Sequence, residues 1–169
     1  MKLGYVPDER TGSSVSFTLE YANDDWCIAQ AVSKLPSGEL AELPPPASSC
    51  TSAEDRNHGT GSLNYADLSD EFLAKSRNFL NVWDPSTGFM RPRKRDGTFR
   101  DGFDVQNTYG QGFIEGNARN YSLYVPHDPV ELTRLHGGKK RFAQHLDSLF
   151  TMYLPGGFFA KTEDIPVRE

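Results

Sequence analysis

The sequence predicts a mainly α protein in which paired helices are joined by long loops and strand content is low. Apolar residues recur at steps of three and four in several separate stretches, which is the spacing of one helix face. Proline and glycine groups follow those stretches, and neither residue continues a helix readily. These two observations predict the mainly α fold class.

The first predicted helix runs from about Ser14 to Leu35, and Ser13 or Ser14 can cap it. Cys27 falls inside its pattern and is predicted to be a buried small hydrophobe, while a disulfide to Cys50 stays open. One face of this helix carries Val15, Leu19, Ala22, Trp26 and Ala29.

Residues 36–66 separate the first helix from the second and are rich in proline, serine, glycine and alanine. A stretch of this composition predicts a surface loop, and we interpret it as an insertion. The second predicted helix spans Leu68–Trp83, with Asp67 or Ser69 as its cap. Asp84-Pro85 ends it, because proline lacks the N–H that the next turn needs.

Three shorter helices are predicted in the second half of the chain. The third occupies Glu115–Val125 and ends before Pro126. The fourth has Asp128 as its N-cap, Pro129 at its first position and Gly137 just after its end. The fifth runs over 139–150, with one face formed by Phe142, Leu146, Leu149 and Phe150.

Composition narrows the classes of partner. The chain has 169 residues and a net charge of −5, which gives no reason to expect nucleic acid or an anionic membrane as a partner. No apolar run approaches the roughly 20 residues of a membrane span. The first residues lack the apolar core of a signal peptide. A basic run between Arg91 and Arg100 is predicted to be a solvated loop.

Several motifs together carry a family resemblance. Residues 112–128 read GFIEGNARNYSLYVPHD, residues 19–30 read LEYANDDWCIAQ, and residues 88–93 read GFMRPR after Asp84-Pro85. Two further motifs are GYVPDE at 4–9 and Gly137-Gly138 followed by LDSLF at 146–150. All of these motifs keep the order, and most of the spacings, that one known family has. The set resembles glycoside hydrolase family 92, the calcium-dependent exo-acting α-mannosidases, over most of the chain except 36–66 and the tail after Met152.

The resemblance implies a fold and partners that periodicity alone does not give. Family members are several times longer, with a β-sandwich domain before a helical catalytic domain built as an (α/α)6 toroid. We therefore expect residues 1–169 to be a partial catalytic domain, a fragment of that toroid, whose partners are the rest of the enzyme and α-mannoside glycans. The resemblance leaves the compartment open, and a secreted parent enzyme is compatible with it.

Glu115 is the candidate catalytic residue. Glycoside hydrolysis needs a protonated carboxyl beside the glycosidic oxygen, and burial among apolar groups raises a carboxyl pKa. Phe113, Ile114 and Tyr121 lie near it in sequence, and Gly116 leaves room for a sugar. The resemblance matches Glu115 to the family's general acid. The alternative from the residues alone is a solvent-facing acid at a helix N-terminus.

One pair of residues departs from the family pattern. Arg119-Asn120 stands where the family commonly has Trp-Gln. A cation close to the presumed acid would lower its pKa, opposite to what a general acid needs. Asn120 keeps amide chemistry with a side chain one methylene shorter. The departure puts activity in question or indicates an altered substrate.

Other polar residues are weaker candidates. Asp24 and Asp25 could bind a metal or act in acid/base chemistry, but neighbours on a helix point about 100° apart, which favours a structural role. His127 is interpreted as an orienting or packed residue beside the cap Asp128. The candidate substrate-binding residues are Asp25, Asn117, Asn120 and His127. No cluster has a recognisable metal-ligand spacing.

The resemblance also implies parts that this sequence lacks. An inverting enzyme needs a second carboxylate that activates water, and the family uses Ca²⁺ at the mannose hydroxyls. Both depend on a GNEPS-type block and a late pair of aspartates, neither of which occurs in these 169 residues. We therefore expect no activity from the chain alone. The alternative function is an inactive, truncated or decayed homologue that at most binds sugar weakly, and an independent helical interaction domain is a third reading.

Overall fold

The computed structural model describes residues 3–35, 65–108 and 110–151. In these ranges the chain is mainly helical, as predicted, with one two-stranded hairpin and two short 3₁₀ helices at Asp8–Arg10 and Arg77–Val82. The α-helices are α1 Ser14–Val32, α2 Tyr65–Ser76, α3 Ala118–Tyr121, α4 Pro129–Leu135 and α5 Lys139–Thr151. The strands are β1 Trp83–Asp84 and β2 Phe89–Met90.

Helix α1 forms the centre of the core and packs mainly against α2. Its predicted face is confirmed, because Val15, Leu19, Ala22 and Ala29 are completely buried and Trp26 is partly buried. The prediction for Cys27 is wrong, since this thiol is exposed. A helix turns 100° per residue, so position 27 lies beside the buried stripe and not on it.

The N-terminus of α1 is capped from a distant part of the chain. Ser13 makes no side-chain cap, and the hydroxyl of Ser14 is buried without a hydrogen-bond partner. The carbonyl of Gly112 instead accepts hydrogen bonds from the backbone N–H groups of Val15 (2.9 Å) and Ser16 (3.1 Å). The predicted serine cap is therefore replaced by a tertiary contact that satisfies the same free donors.

The second predicted helix divides into two parts. Regular α-helix ends at Ser76, and a 3₁₀ helix continues to Val82. The Oγ of Ser76 donates to the carbonyl of Leu73 at 2.8 Å, and the amide of Asn81 donates to the carbonyl of Gly4 at 3.1 Å. Polar side chains of this kind compete for backbone groups and weaken an α-helix. The chain therefore tightens before it enters β1.

The hairpin of β1 and β2 was not predicted from the sequence. Trp83 pairs with Met90 and Asp84 with Phe89 in antiparallel register. Asp84 is only 3% exposed, and its carboxylate accepts a hydrogen bond from the N–H of Ser86 at 2.9 Å. This bond and the missing N–H of Pro85 shape the reversal of the chain.

The basic run after the hairpin is only in part the solvated loop that the sequence predicts, because Arg95 is exposed whereas Arg91 and Arg93 point into the fold. The Nη1 of Arg91 bonds Asp84, and Arg93 donates to the carbonyls of Asn81 (3.0 Å) and Gly97 (2.7 Å). Both arginines are partly buried. Their guanidinium groups find internal acceptors and aromatic faces, so they serve the fold.

The third predicted helix is much shorter than expected, whereas the last two are confirmed. Helix α3 is a single turn, because Asn117 caps its start at Ala118 and the helix ends at Tyr121, with Ser122 as its C-cap. Asp128 caps α4 through a 2.9 Å bond from the N–H of Glu131, and Gly137 follows its end at φ +82°.

Helix α5 begins at Lys139 as predicted and has no fully buried residue. Its predicted apolar face is only partly confirmed, because Phe142, Leu146 and Leu149 are partly buried whereas Phe150 is 89% exposed.

Part of the predicted insertion lies outside the described residues. Of the 36–66 stretch, only positions 65 and 66 are described, and they begin α2. Cys50 and the tail after Thr151 also lie outside the described ranges. Among the helices that the structure describes, none has the length and apolar character to cross a membrane.

Candidate functional site

The loop that carries Glu115 is anchored to α1. Gly112 caps the helix, and the N–H of Ile114 donates to the Oγ of Ser16 at 3.0 Å. Phe113, between them, is 4% exposed and packs on Tyr121 with ring centroids 5.7 Å apart. The backbone up to residue 114 is therefore fixed by buried contacts immediately before Glu115.

Glu115 has a strained backbone and an exposed side chain. Its φ is +50°, and it is the one non-glycine with positive φ among the described residues. Left-handed backbone costs a side-chain-bearing residue on the order of 1 kcal/mol and is concentrated at functional sites. The expected apolar enclosure of its carboxyl is not found in the described part of the chain, because Phe113 and Tyr121 pack on each other and Glu115 is exposed.

Asn117 and Asn120 bond to each other's backbone. The Oδ1 of Asn117 accepts from the N–H groups of Arg119 (3.0 Å) and Asn120 (3.4 Å), while the Oδ1 of Asn120 accepts from the N–H of Asn117 at 2.8 Å. This reciprocal capping box begins α3. Gly116 fits beneath it, because an added Cβ would lie 2.7 Å from the amide nitrogen of Asn120. Both amides thus have a structural role.

Arg119 turns toward the hairpin. Its guanidinium lies 5.5 Å from the ring centroid of Phe89, and its Nε is buried without a hydrogen-bond partner. Although both residues are described, Arg119 and Glu115 form no ion pair. The cation at this position therefore contacts an aromatic ring of β2 and has no direct contact with the candidate acid.

His127 lies in a packed position at the end of α2. Its Nε2 is 3.0 Å from the carbonyl of Ser76, so Nε2 carries the proton and Nδ1 presents a lone pair. The ring contacts Phe79 edge-on at 5.5 Å and Trp26 at 6.4 Å. Its Nδ1 is buried and unpartnered, so one polar atom remains available to a ligand or a further chain segment.

Asp25 faces α2 and diverges from its neighbour Asp24. Burial raises the pKa of Asp25, and the positive charge of Lys75 on α2 opposes that rise. Asp24 is exposed, and its negative charge also raises the pKa of Asp25. Burial, with the negative charges of Glu20 and Asp24, raises the pKa of Tyr124. The two carboxylates therefore do not form a paired site, as the 100° step predicts.

The candidate residues fall into two groups. Glu115, Asn117 and Asn120 share the loop before α3, whereas Asp25 and His127 lie near Trp26 at the α1–α2 side. Within the described ranges, no hydrogen bond or ion pair connects the groups. Sequence reasoning missed Ser16, which holds the Glu115 loop. A serine on the buried face of a helix was the available signal, since a buried hydroxyl needs a partner.

The expected calcium ion has no ligand set in this part of the protein. Across residues 3–35, 65–108 and 110–151, no group of three or more His, Cys, Asp or Glu side chains is placed to hold a metal ion. Calcium takes six to eight oxygen ligands. The described residues by themselves do not fit that requirement.

A family model matches almost the whole chain. Residues 1–163 match the glycosyl hydrolase family 92 catalytic domain. This range is longer than the motif resemblance, because it includes positions 36–66 and extends past Met152. No sequence among curated proteins matches.

Solved structures agree with the family match. An α-mannosidase of family GH92 from Bacteroides thetaiotaomicron is 33% identical with a TM-score of 0.69, and the chain's match covers 92% of this chain and 17% of that one. An inverting mannosidase of the same family from Bacteroides thetaiotaomicron VPI-5482 is 29% identical, with a TM-score of 0.70 and coverage of 95% and 18%. The structure of the first enzyme in complex with mannoimidazole is 31% identical with a TM-score of 0.69, and the match covers 92% of this chain and 18% of that one. The chain therefore spans less than a fifth of these enzymes.

Proposed function

We propose that this chain forms part of an inverting exo-α-mannosidase. It belongs to glycosyl hydrolase family 92 and matches the catalytic domain of that family. The substrates would be N-glycans or mannans with terminal α-linked mannose. Sequence identity of about 30% to α-mannosidases of this family supports the hydrolysis of α-mannosides as the reaction. The single observation that carries the assignment within the chain is the strained, loop-anchored Glu115 at the position that resembles the family's general acid.

In this proposal Glu115 protonates the glycosidic oxygen, so that the leaving sugar departs as a neutral alcohol. Its left-handed backbone, held by Gly112 and Ser16, would aim the carboxyl at one fixed point. A second carboxylate, roughly 6.5–9.5 Å away in inverting enzymes, would activate water on the opposite face of the sugar. We place that base in the part of the enzyme that this chain does not span.

The rest of the enzyme would supply what Glu115 lacks here. The carboxyl is exposed in this chain, and an acid needs desolvation to keep its proton at neutral pH. We propose that the remaining helices of an (α/α)6 toroid, together with a β-sandwich domain, cover it. Ca²⁺ would bind mannose hydroxyls with most of its ligands from those parts. The predicted 36–66 stretch, up to the start of α2 at Tyr65, would be a loop insertion in this domain.

The candidate substrate contacts separate into two roles. Asn117 and Asn120 use their side-chain amides in the capping box. We therefore propose that they support sugar binding indirectly, by holding the loop of Glu115 in place. His127 retains a buried, unpartnered Nδ1, which could accept a hydrogen bond from a sugar hydroxyl. Asp25 is a weaker candidate, since its carboxylate faces Lys75 on α2.

A second candidate is a catalytically inactive homologue that at most binds sugar weakly. The observation that favours it is Arg119, whose guanidinium packs on Phe89 where the family commonly has tryptophan. A sugar-binding surface that loses an aromatic ring loses a stacking platform for the pyranose.

A chimera would test both functions. Residues 1–163 would replace the matching segment of the inverting mannosidase from Bacteroides thetaiotaomicron, and mannose release would be measured with Ca²⁺ present. We expect activity that Glu115→Gln lowers by about 10²–10⁴-fold. Glu71→Gln is the matched control, since that exposed carboxylate pairs with Lys75 within α2 and should change the rate little.

The outcomes separate the two candidates. A folded chimera without mannose release, which Arg119→Trp restores, would support the decayed homologue. A folded, active chimera that tolerates Glu115→Gln would contradict the catalytic role of Glu115. The isolated 169-residue chain is expected to release no mannose, and release by the purified chain would contradict the need for the missing base.

A further inference from the structure

Two histidines face each other where α4 meets α5. His136 is the C-cap of α4, His145 lies on α5, and Gly137-Gly138 reverses the chain between the two helices. Their ring centroids are 4.6 Å apart, with 53° between the ring planes. No part of the proposed mannosidase chemistry uses either residue.

The tautomer of His136 is fixed by a backbone carbonyl. Its Nδ1 lies 2.9 Å from the oxygen of Leu132, and because a carbonyl can only accept, Nδ1 must carry the proton. Nε2 then presents a lone pair. That atom is buried and has no hydrogen-bond partner among the residues that the structure describes. An imidazole that donates one nitrogen to a backbone carbonyl and offers the other is the usual arrangement of a metal ligand.

His145 offers a second nitrogen of the same kind. Its Nε2 is also buried, and within residues 3–35, 65–108 and 110–151 it has no hydrogen-bond partner. Burial lowers the pKa of both imidazoles, and the charges of His136 and Arg119 lower that of His145 further. Neutral rings are the form that binds a metal ion, and a buried nitrogen without a partner carries a desolvation cost that a ligand would remove.

The surroundings favour one class of ion. The imidazoles are lined by the rings of Trp83 and Phe142, each 4.9 Å from His136, and by Phe89 at 5.4 Å from His145. In the described part of the chain, no carboxylate shifts the pKa of either imidazole. Ca²⁺ and Mg²⁺ prefer oxygen ligands, whereas imidazole nitrogen suits Zn²⁺, Cu²⁺ and Ni²⁺.

We propose that His136 and His145 bind one first-row transition-metal ion, with Zn²⁺ as the physiological class, through their two Nε2 atoms and thereby clamp α5 onto α4. Water completes the coordination. Helix α5 has no fully buried residue and packs on the core through partly buried ones such as Phe142, so a metal bridge would add a second kind of attachment. The site holds two protein ligands, which is fewer than a structural zinc site normally has, so its affinity is moderate.

The test uses the full chain, freed of metal with a chelator and titrated with Zn²⁺ by calorimetry. We expect one Zn²⁺ per chain and a rise of about 2–4 °C in the melting midpoint at several times the Kd. His145→Phe keeps an aromatic ring against Phe89 but removes the ligand, and it should weaken binding at least about tenfold. His136→Phe should do the same.

Two further variants sharpen the result. His127→Gln removes a histidine that has a buried, unpartnered nitrogen but no second imidazole beside it, and it should leave Zn²⁺ binding unchanged. Arg119→Gln removes a positive charge close to His145, so it should tighten binding of a cation several-fold. If the site instead takes an anion, the same variant would weaken binding of inorganic phosphate and leave Zn²⁺ affinity unimproved, which would overturn the proposal.

X-ray absorption of the Zn²⁺-loaded wild-type chain keeps the proposal testable if a variant fails to fold. Two imidazole nitrogens at about 2.0–2.1 Å, with oxygen in the remaining positions, are expected. Fewer than two imidazoles, or Zn²⁺ affinity in His145→Phe equal to that of the wild type, would overturn the site.

Discussion

The Nη1 of Arg91 lies 2.8 Å from the Oδ2 of Asp84 and joins the two ends of the hairpin. The Oδ1 of the same carboxylate accepts from the N–H (2.9 Å) and the hydroxyl (2.6 Å) of Ser86. Burial raises the pKa of Asp84, but the Ser86 and Arg91 hydrogen bonds outweigh it and hold the pKa below 3.8. A buried carboxylate with every acceptor used is therefore the organising group of the turn.

Asp84→Asn should destabilise the fold by roughly 2–4 kcal/mol, because it removes the negative charge that pairs with the partly buried Arg91 and leaves that guanidinium with its hydrogen bond to the carbonyl of Arg100. Urea unfolding followed by circular dichroism measures this. Asp96→Asn is the matched control. Asp96 accepts from the N–H and hydroxyl of Thr98 in the same way but is exposed and has no arginine partner. Equal losses in the two variants would contradict the role of the buried ion pair.

Gly112→Ala should destabilise by about 3 kcal/mol or more. Its φ is +92°, and an added Cβ would lie 2.5 Å from Cγ of Pro92 and 2.9 Å from Cγ2 of Val15. The displaced carbonyl would also release the N-terminus of α1. Gly110→Ala separates strain from crowding, since Gly110 has φ +63° with no atom within 4 Å of the added Cβ. It should cost only about 1 kcal/mol, and a thermal melt that finds the two variants alike would refute the tertiary cap.

Glu115→Gly should leave stability unchanged or raise it by up to about 1 kcal/mol, because glycine adopts φ +50° without strain. The same replacement at Glu71, within α2, should cost about 1 kcal/mol and additionally lose its ion pair with Lys75. Chemical denaturation of both variants measures the contrast. A loss at position 115 as large as at position 71 would show that Glu115 is not strained.

Asn117→Ala should lower stability by about 1–2 kcal/mol, because α3 loses its N-cap. Asn117→Asp keeps the accepting oxygen and should retain most of that stability. Hydrogen exchange at the N–H groups of Arg119 and Asn120 provides the local readout. If exchange there is unchanged in Asn117→Ala, the capping box does not hold the loop of Glu115.

Stability should fall as the pH drops from about 7 to 5. The folded-state pKa values of His136 and His145 lie below the ordinary 6.5, so the unfolded chain binds more protons in this window and is favoured by acid. Well above pH 7 both rings are neutral in the folded and the unfolded state, and the effect is absent. Melting midpoints are measured across this pH range with metal excluded. In the His136→Phe/His145→Phe double variant, the midpoint should change less with pH than in the wild type. An unchanged slope would assign the effect to other groups.

The sequence by itself determined the elements that depend on local chemistry. The spacing of Val15, Leu19, Ala22 and Ala29 gave the buried face of α1, because helical periodicity is a property of neighbouring residues. Asp128-Pro129 and Gly137 gave both ends of α4, since caps act within one turn. The motif around Glu115 indicated the family, which the match over residues 1–163 confirms.

Tertiary structure alone decided the contacts between segments far apart in sequence. The cap of α1 comes from Gly112, nearly a hundred positions away, so the serine at position 13 gave a misleading local signal. The exposure of Glu115 and the direction of Arg119 toward Phe89 depend on which neighbours compete for the same space. Periodicity reports only which faces can be buried, whereas the partners of a polar atom are fixed when separate segments pack and each buried donor must find an acceptor.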